Sequence, residues 1–200
     1  MNTSNQRPHL SPEILEPLQH LGAYFLELPT DMPVVVALSG GVDSSVVGAV
    51  ARRVLGPARV TAVFFDMPIM VEDDRLFAEQ VAEVAKLDLE IITFDPLIID
   101  AVRYNRTDRC YQCKNALFSI LQENYAGAFI CDGTNIDDDP QRRPGMKALT
   151  ELGIHSPLRD CNISKEQVRL IARGLGLPNA DRESSACLAT QYPADTELAL

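Results

Sequence analysis

The sequence predicts an α/β domain built on a parallel sheet with helices on both faces. Two observations carry this. Apolar runs of strand length recur at Val34 to Leu38, Val60 to Phe65, Leu89 to Phe94, Ala128 to Cys131 and, more briefly, near His155 to Leu158. Each is separated from the next by a stretch with helical spacing of its apolar residues, and strands alternating with amphipathic helices pack as parallel β-strands joined by right-handed crossovers. In such sheets ligands sit at the carboxyl ends of the strands, so the loops after Leu38, Phe65, Phe94, Cys131 and Leu158 are the candidate functional loops.

Taken in order, residues 1–10 are polar, and Ser11 to Leu28 then places Ile14, Leu15, Leu18, Leu21 and Phe25 on one helical face. This predicts an N-terminal helix and marks off 1–28 from a main domain over 29–180. Further helices are expected over Asp43 to Leu55, Glu72 to Leu87, Tyr111 to Glu123 and Ser164 to Leu175. The stretch Asp181 to Leu200 has no clear periodicity and reads as a loop that opens a C-terminal region.

Composition narrows the function classes. The chain has 200 residues, 46% of them hydrophobic, enough to bury one substantial core. A formal net charge of -10 opposes binding to nucleic-acid phosphate or to an anionic membrane surface. No apolar run approaches the ~18 residues that a bilayer span needs, and no signal-peptide pattern stands at the start, so a cytoplasmic protein is expected. Five cysteines, an odd number, fit thiol or metal chemistry in a reducing compartment better than a disulfide framework.

The first strand runs into Ser39-Gly40-Gly41-Val42-Asp43-Ser44-Ser45 and then into a helix. Adjacent glycines let the backbone turn sharply and approach a ligand, and hydroxyls with the free N–H groups of a helix start offer donors to a polyanion. The loop lacks the lysine of a Walker motif and is not a dinucleotide Gly-x-Gly-x-x-Gly turn. Residue by residue, an ordinary turn with Asp43 or Ser44 as helix N-cap is the better account of these positions. The whole string resembles the PP-loop signature. That resemblance implies an adenine nucleotide alpha hydrolase-like domain that cleaves ATP, with Mg²⁺, between its α and β phosphates.

Within that superfamily, amide-forming ligases of the NAD synthetase and GMP synthetase type need no thiol, whereas sulfur insertion needs a sulfur carrier. Here the third strand leads into Asp108-Arg109-Cys110-Tyr111-Gln112-Cys113-Lys114, and the fourth ends in Asp132-Gly133-Thr134-Asn135-Ile136-Asp137-Asp138. Arg143-Pro144-Gly145, the Ser156-Pro157-Leu158 turn, Ser164-Lys165, Gly176-Leu177-Pro178 and Ser185-Ala186-Cys187-Leu188-Ala189 follow. This ordered set resembles the LarE family of ATP-dependent sulfur transferases of nickel-pincer cofactor biosynthesis, from about Val34 to Pro193. The resemblance implies a small-molecule substrate, pyridinium-3,5-dicarboxylate mononucleotide, adenylated on each carboxylate and converted to a thiocarboxylate. It also implies a homo-oligomer, an external sulfide donor, and a further C-terminal domain beyond the loop that holds Cys187. Thr190 and Gln191 stand where the family usually has Ser and Arg, and Glu183 where a proline is expected.

By the same resemblance, Cys187 falls on the cysteine that in some members surrenders its own sulfur. Other members use a [4Fe-4S] cluster on three cysteines, which here would be Cys110, Cys113 and Cys187. Three thiolates leave one iron open to an exogenous sulfide, so such a carrier can turn over. Read on spacing alone, the Cys110/Cys113 pair also fits a redox dithiol or half of a zinc site. Cys131 closes an apolar strand and is read as core, Cys161 as a spare, and His9, His20 and His155 as structural or surface residues.

The remaining candidates stand at strand ends. Asp132, Gly133, Thr134, Asn135 and Asp138 are placed to contact ATP or its Mg²⁺, or else to form an Asx-stabilised turn. Asp66 is placed to reach the adenosine or to cap its strand. Arg109 and Lys114 flank the cysteine pair, as neutralisers of substrate anions or as surface charges.

Overall fold

A computed structural model describes residues 11–141 and 143–199 of the chain. The polar segment 1–10, including His9, lies outside the described residues.

The valine-rich run forms β1 (Val34–Ala37), and the other strands are β2 (Val60–Asp66), β3 (Asp88–Thr93) and β4 (Phe129–Cys131). All pair in parallel in the order β3-β2-β1-β4. Val34 stands opposite Val60 on one side and Phe129 on the other. Successive side chains of a strand point to opposite faces. Accordingly Val34, Val36, Ala62 and Phe64 belong to one apolar cluster, and Val35, Val63, Phe65 and Ile130 to the other.

Helices cover both faces. The first cluster is closed by α1 (Pro12–Leu26), α2 (Val42–Leu55), α3 (Glu72–Ala85) and α8 (Lys165–Leu175). The second is closed by α5 (Arg109–Asn124) and α6 (Gly145–Glu151), with short α4 (Asp100–Arg103) preceding them. Local chemistry sets the ends. Ser164 caps α8 by accepting from the Gln167 N–H while the Gln167 side chain accepts from the Ser164 N–H, a reciprocal capping box. Gly176 ends the same helix in the left-handed conformation.

The expected strand near His155 to Leu158 is corrected. His155 makes a single parallel bridge to Cys131, and the chain then turns into α7 (Pro157–Asp160). Proline suits the first turn of a helix, where its missing N–H is not needed, and it cannot continue a ladder. The stretch 181–199 forms an irregular strap with one 3-10 turn at Leu188–Gln191. Asn105 fastens the strap by donating to the carbonyls of Tyr192 and Pro193 at 3.0 and 2.8 Å.

The chain runs from β1 to β2 to β3 in one direction and returns to place β4 on the far side of β1. The crevice between the carboxyl ends of β1 and β4 is therefore the switch point of the sheet, where ligands of open α/β folds bind.

Candidate active site

The loop after β1 and the loop after β4 meet at this switch point. They share a cavity of about 280 Å³ that includes Ser39, Asp43, Ser44, Asp132, Gly133 and Thr134 on its wall. Gly40 has φ +77, and a Cβ there would lie 2.2 Å from the Asp74 carbonyl oxygen. A Cβ on Gly133 would lie 2.5 Å from the Ser44 amide nitrogen. Both glycines are thus required by close backbone approach.

Hydroxyls shape the loop from within. Ser44 Oγ accepts from the Ser39 N–H at 3.1 Å, and Ser45 Oγ donates to the Gly41 carbonyl at 2.8 Å. Asn179, fully buried, donates to the Gly40 carbonyl at 2.8 Å and to Ser45 Oγ at 2.9 Å. Gly41 precedes α2, so the start of that helix, with its unpaired N–H groups and positive dipole end, lies at the cavity.

Asp43 is held from two sides, by Asn135 Nδ2 at 3.0 Å and by the Lys165 ammonium. Asp132 is buried; its Oδ1 accepts from the Thr134 N–H at 3.0 Å and from Ser156 Oγ at 2.8 Å, and Lys114 Nζ lies 3.9 Å from Oδ2. Asp138 accepts from the Asn135 N–H at 3.0 Å and pairs with Arg143 at 2.9 Å. The Asx turn and the ligand-facing wall are thus one structure: Asp132 and Asp138 shape the loop that carries Gly133 and Thr134. Lys114, Arg143, Leu117 and Phe118 complete the cavity with two cations and an apolar side. Asp66 ends β2 and pairs with Arg75 at 2.6 Å on the surface.

Cys110 and Cys113 stand on the first turns of α5, and Cys187 immediately precedes the 3-10 turn of the strap. The three thiols are electrostatic neighbours. Burial, reinforced by Cys187 and Cys110, pushes the Cys113 thiol up to about 12. Burial and then Cys110 raise Cys187, with Arg109 among the groups acting in the opposite direction. Among the described residues no three side chains gather as the ligands of a metal ion. Cys131 is fully buried in the core and its thiol is raised by burial, as a small apolar residue's would be. Cys161 is half-buried beside Tyr24 and Asp160, away from the crevice.

The Asparagine synthase family matches residues 26–104. An uncharacterized protein of Synechocystis is 34% identical over 184 residues, spanning 90% of this chain and 67% of its own length. The pyridinium-3,5-bisthiocarboxylic acid mononucleotide synthase of Lactiplantibacillus plantarum is 33% identical over 168 residues, spanning 82% of this chain and 61% of its own. The chain belongs to the LarE family. It spans about two thirds of the length of these relatives. The NMN synthetase of Francisella tularensis shares the fold, with a TM-score of 0.61 at 17% identity over 92% of this chain and 77% of that one.

Within this LarE family member, three site residues stand out only in three dimensions: Asn179, Arg182 and Asp74. Arg182 donates to the Gly40 carbonyl at 3.2 Å and pairs with Asp74 at 2.7 Å. Asn179 follows the Gly176-Leu177-Pro178 run, which flags a turn, but a turn asparagine carries no sign of its partner 139 positions away. No helix among the described residues is long and apolar enough to cross a membrane.

Proposed function

We propose that this chain carries the ATP-using site of a sulfur transferase that acts on pyridinium-3,5-dicarboxylate mononucleotide, adenylating a carboxylate and replacing its oxygen with sulfur. The observation that carries the reading is the junction of two features on α5: the thiols of Cys110 and Cys113 neighbour Cys187, and the next residues, Lys114, Leu117 and Phe118, wall the cavity into which the phosphate loop opens.

In this reading Ser39, Gly40, Gly41, Ser44 and Ser45, with the α2 N-terminus, cradle the polyphosphate, and Gly133 and Thr134 face it from β4. Asp43 would supply an oxygen ligand to Mg²⁺, and that ion when bound would offset the negative charge of the polyphosphate. A carboxylate oxygen of the substrate attacks the α-phosphorus, and the bond to the β-phosphate oxygen breaks with that electron pair leaving on pyrophosphate. Lys114 and Arg143 offset the negative charge gathered there. A sulfur nucleophile then attacks the acyl carbon of the mixed anhydride, and AMP departs with the carboxyl oxygen. Asp66 remains a candidate adenosine contact, which requires Arg75 to release it.

PP-loop enzymes use ATP with Mg²⁺, and the finer cofactor proposal is the [4Fe-4S] cluster. Cys110, Cys113 and Cys187 would hold it through three thiolates, which would leave one iron without a protein ligand. When bound, such a cluster would carry sulfide on the iron that lacks a protein ligand. Cys187 as a sacrificial donor is the alternative source of sulfur, and it serves once per chain.

The test combines activity with iron content. Pyrophosphate release should require the dicarboxylate, and iron with acid-labile sulfide should bind the anaerobically reconstituted protein and be lost in Cys110→Ser and Cys187→Ser. Absence of iron in the unmodified protein removes the cluster and turns attention to loss of sulfur from Cys187. The amide-forming reading of the NAD synthetase or GMP synthetase type rests on the phosphate loop alone and gives the three thiols no role. Turnover that requires ammonia and survives loss of all three would establish it instead.

A further inference from the structure

The strap that carries Cys187 is fastened to the start of α3 by a nearly buried ion pair and to the phosphate loop by a hydrogen bond from the same side chain. Arg182 lies 2.7 Å from Asp74 Oδ1, and the two side chains are 13% and 10% exposed. The same guanidinium donates to the Gly40 carbonyl at 3.2 Å and lies 4.5 Å over the Phe77 ring. Asp74 Oδ1 also accepts from the Ser185 hydroxyl at 3.1 Å, and its Oδ2 accepts from the Val71 N–H at the start of α3 at 3.3 Å. Just past the cysteine, the Leu188 N–H donates to the Ile69 carbonyl at 2.8 Å.

The physical consequence follows from the guanidinium. Its donors form a rigid planar fork, so a carboxylate and a carbonyl bound together fix where it sits. A shielded carboxylate that loses its partner is a bare charge at low dielectric, which makes the pair costly to open. Gly40 cannot retreat either, because its α-carbon is packed against the Asp74 backbone. A polyphosphate that fixes Gly40 therefore also fixes Arg182, Asp74 and Ser185, two residues before Cys187.

We propose that Arg182 is a positioning residue that registers the Cys187 segment to the phosphate loop, so that nucleotide in the loop orders that segment for sulfur transfer. This rests on the reading of the loop as an ATP site. It assigns Arg182 a role in timing as well as in stability: the segment is tightest when the adenylating site is filled.

Hydrogen–deuterium exchange of the full chain tests it, read over peptides within 183–192, with and without Mg²⁺ and a non-hydrolysable ATP analogue. Calorimetric titration sets a saturating concentration for each variant. In the unmodified protein the analogue should slow exchange over this segment roughly tenfold, the scale of one added charge-assisted contact against local opening. In Arg182→Ala the nucleotide effect should vanish even at saturation. Arg182→Lys, which keeps the charge and loses the fork, should show it reduced and serves as the test where the alanine variant fails to fold. An equal nucleotide effect in Arg182→Lys and the unmodified protein overturns the proposal. Analogue binding without protection of 183–192 in the unmodified protein overturns the coupling alone, whereas failure of the analogue to bind at all overturns the ATP-site reading and this inference with it.

Discussion

The Lys165 ammonium bonds the Asp43 carboxylate although 122 positions separate them, because α8 starts beside the helix that leaves the phosphate loop. Both side chains are partly shielded, 27% and 22% exposed, so the pair interacts more strongly than a surface pair without the full cost of burial. It holds the Asp43 carboxylate oriented at the point where a metal-bound polyphosphate would enter.

Lys165→Met should therefore lower pyrophosphate release by roughly 10²-fold, the scale seen when one preorganised charge is removed from a site of developing negative charge. The cost in stability should be about 1 kcal/mol, since Asn135 still donates to Asp43. Steady-state kinetics beside a urea melt separates the two.

The two close-packed glycines make a sharper case. Gly40→Ala places a methyl group against the Asp74 carbonyl and forces a left-handed alanine, and Gly133→Ala pushes into the Ser44 amide. Neither obstacle is a flexible side chain. Each variant should lose about 2 to 4 kcal/mol and lose nucleotide binding. Thermal melts and calorimetry provide the check, and an unperturbed melt would contradict the close approach.

Cys113 predicts a pH dependence. Folding keeps its proton up to about 12, mainly by burial, while the unfolded thiol ionises near 9.0. The unfolded state gives up that proton first, so this contribution to stability is full below about pH 9 and is lost as pH rises towards 12. In metal-free protein Cys113 should resist alkylation at neutral pH. Cys187→Ser should speed its alkylation in alkali by removing one neighbouring negative charge, while leaving the larger burial effect in place. Peptide mass spectrometry after timed iodoacetamide treatment reads both.

The cysteines outside the crevice should behave differently. Cys131→Ala removes a buried sulfur from the core and should cost about 1 to 2 kcal/mol with sulfur transfer intact. Cys161→Ser should change neither stability nor product. Loss of product in either variant would move the sulfur chemistry away from the α5 and strap cysteines.

How much of this was readable in advance follows from the range of each interaction. The strands and main helices announce themselves because β-branched runs and helical spacing are local, and Ser39 to Ser45 announce a tight strand-to-helix turn because glycine and hydroxyl needs are local too. The fifth strand fails on Pro157, whose fixed φ starts a helical turn. Asn179, Arg182 and Asp74 were illegible because their partners lie across the fold: Asp74 resembles one more acid in an acidic first turn, and Arg182 an exposed loop cation. The strap lacks periodicity because its anchors are point contacts, to Asn105 and Asp74, which leave no repeat in the sequence.

The most direct test of the central claim is the mass of the product. The protein is incubated without oxygen with ATP, Mg²⁺, pyridinium-3,5-dicarboxylate mononucleotide and sulfide, and the mononucleotide is recovered for mass spectrometry while AMP and pyrophosphate are counted. The account predicts a product in which a carboxyl oxygen has been exchanged for sulfur, formed with matching AMP and pyrophosphate and lost in Cys187→Ser. Pyrophosphate and an acyl adenylate that never acquires sulfur under any supply of sulfide would contradict it.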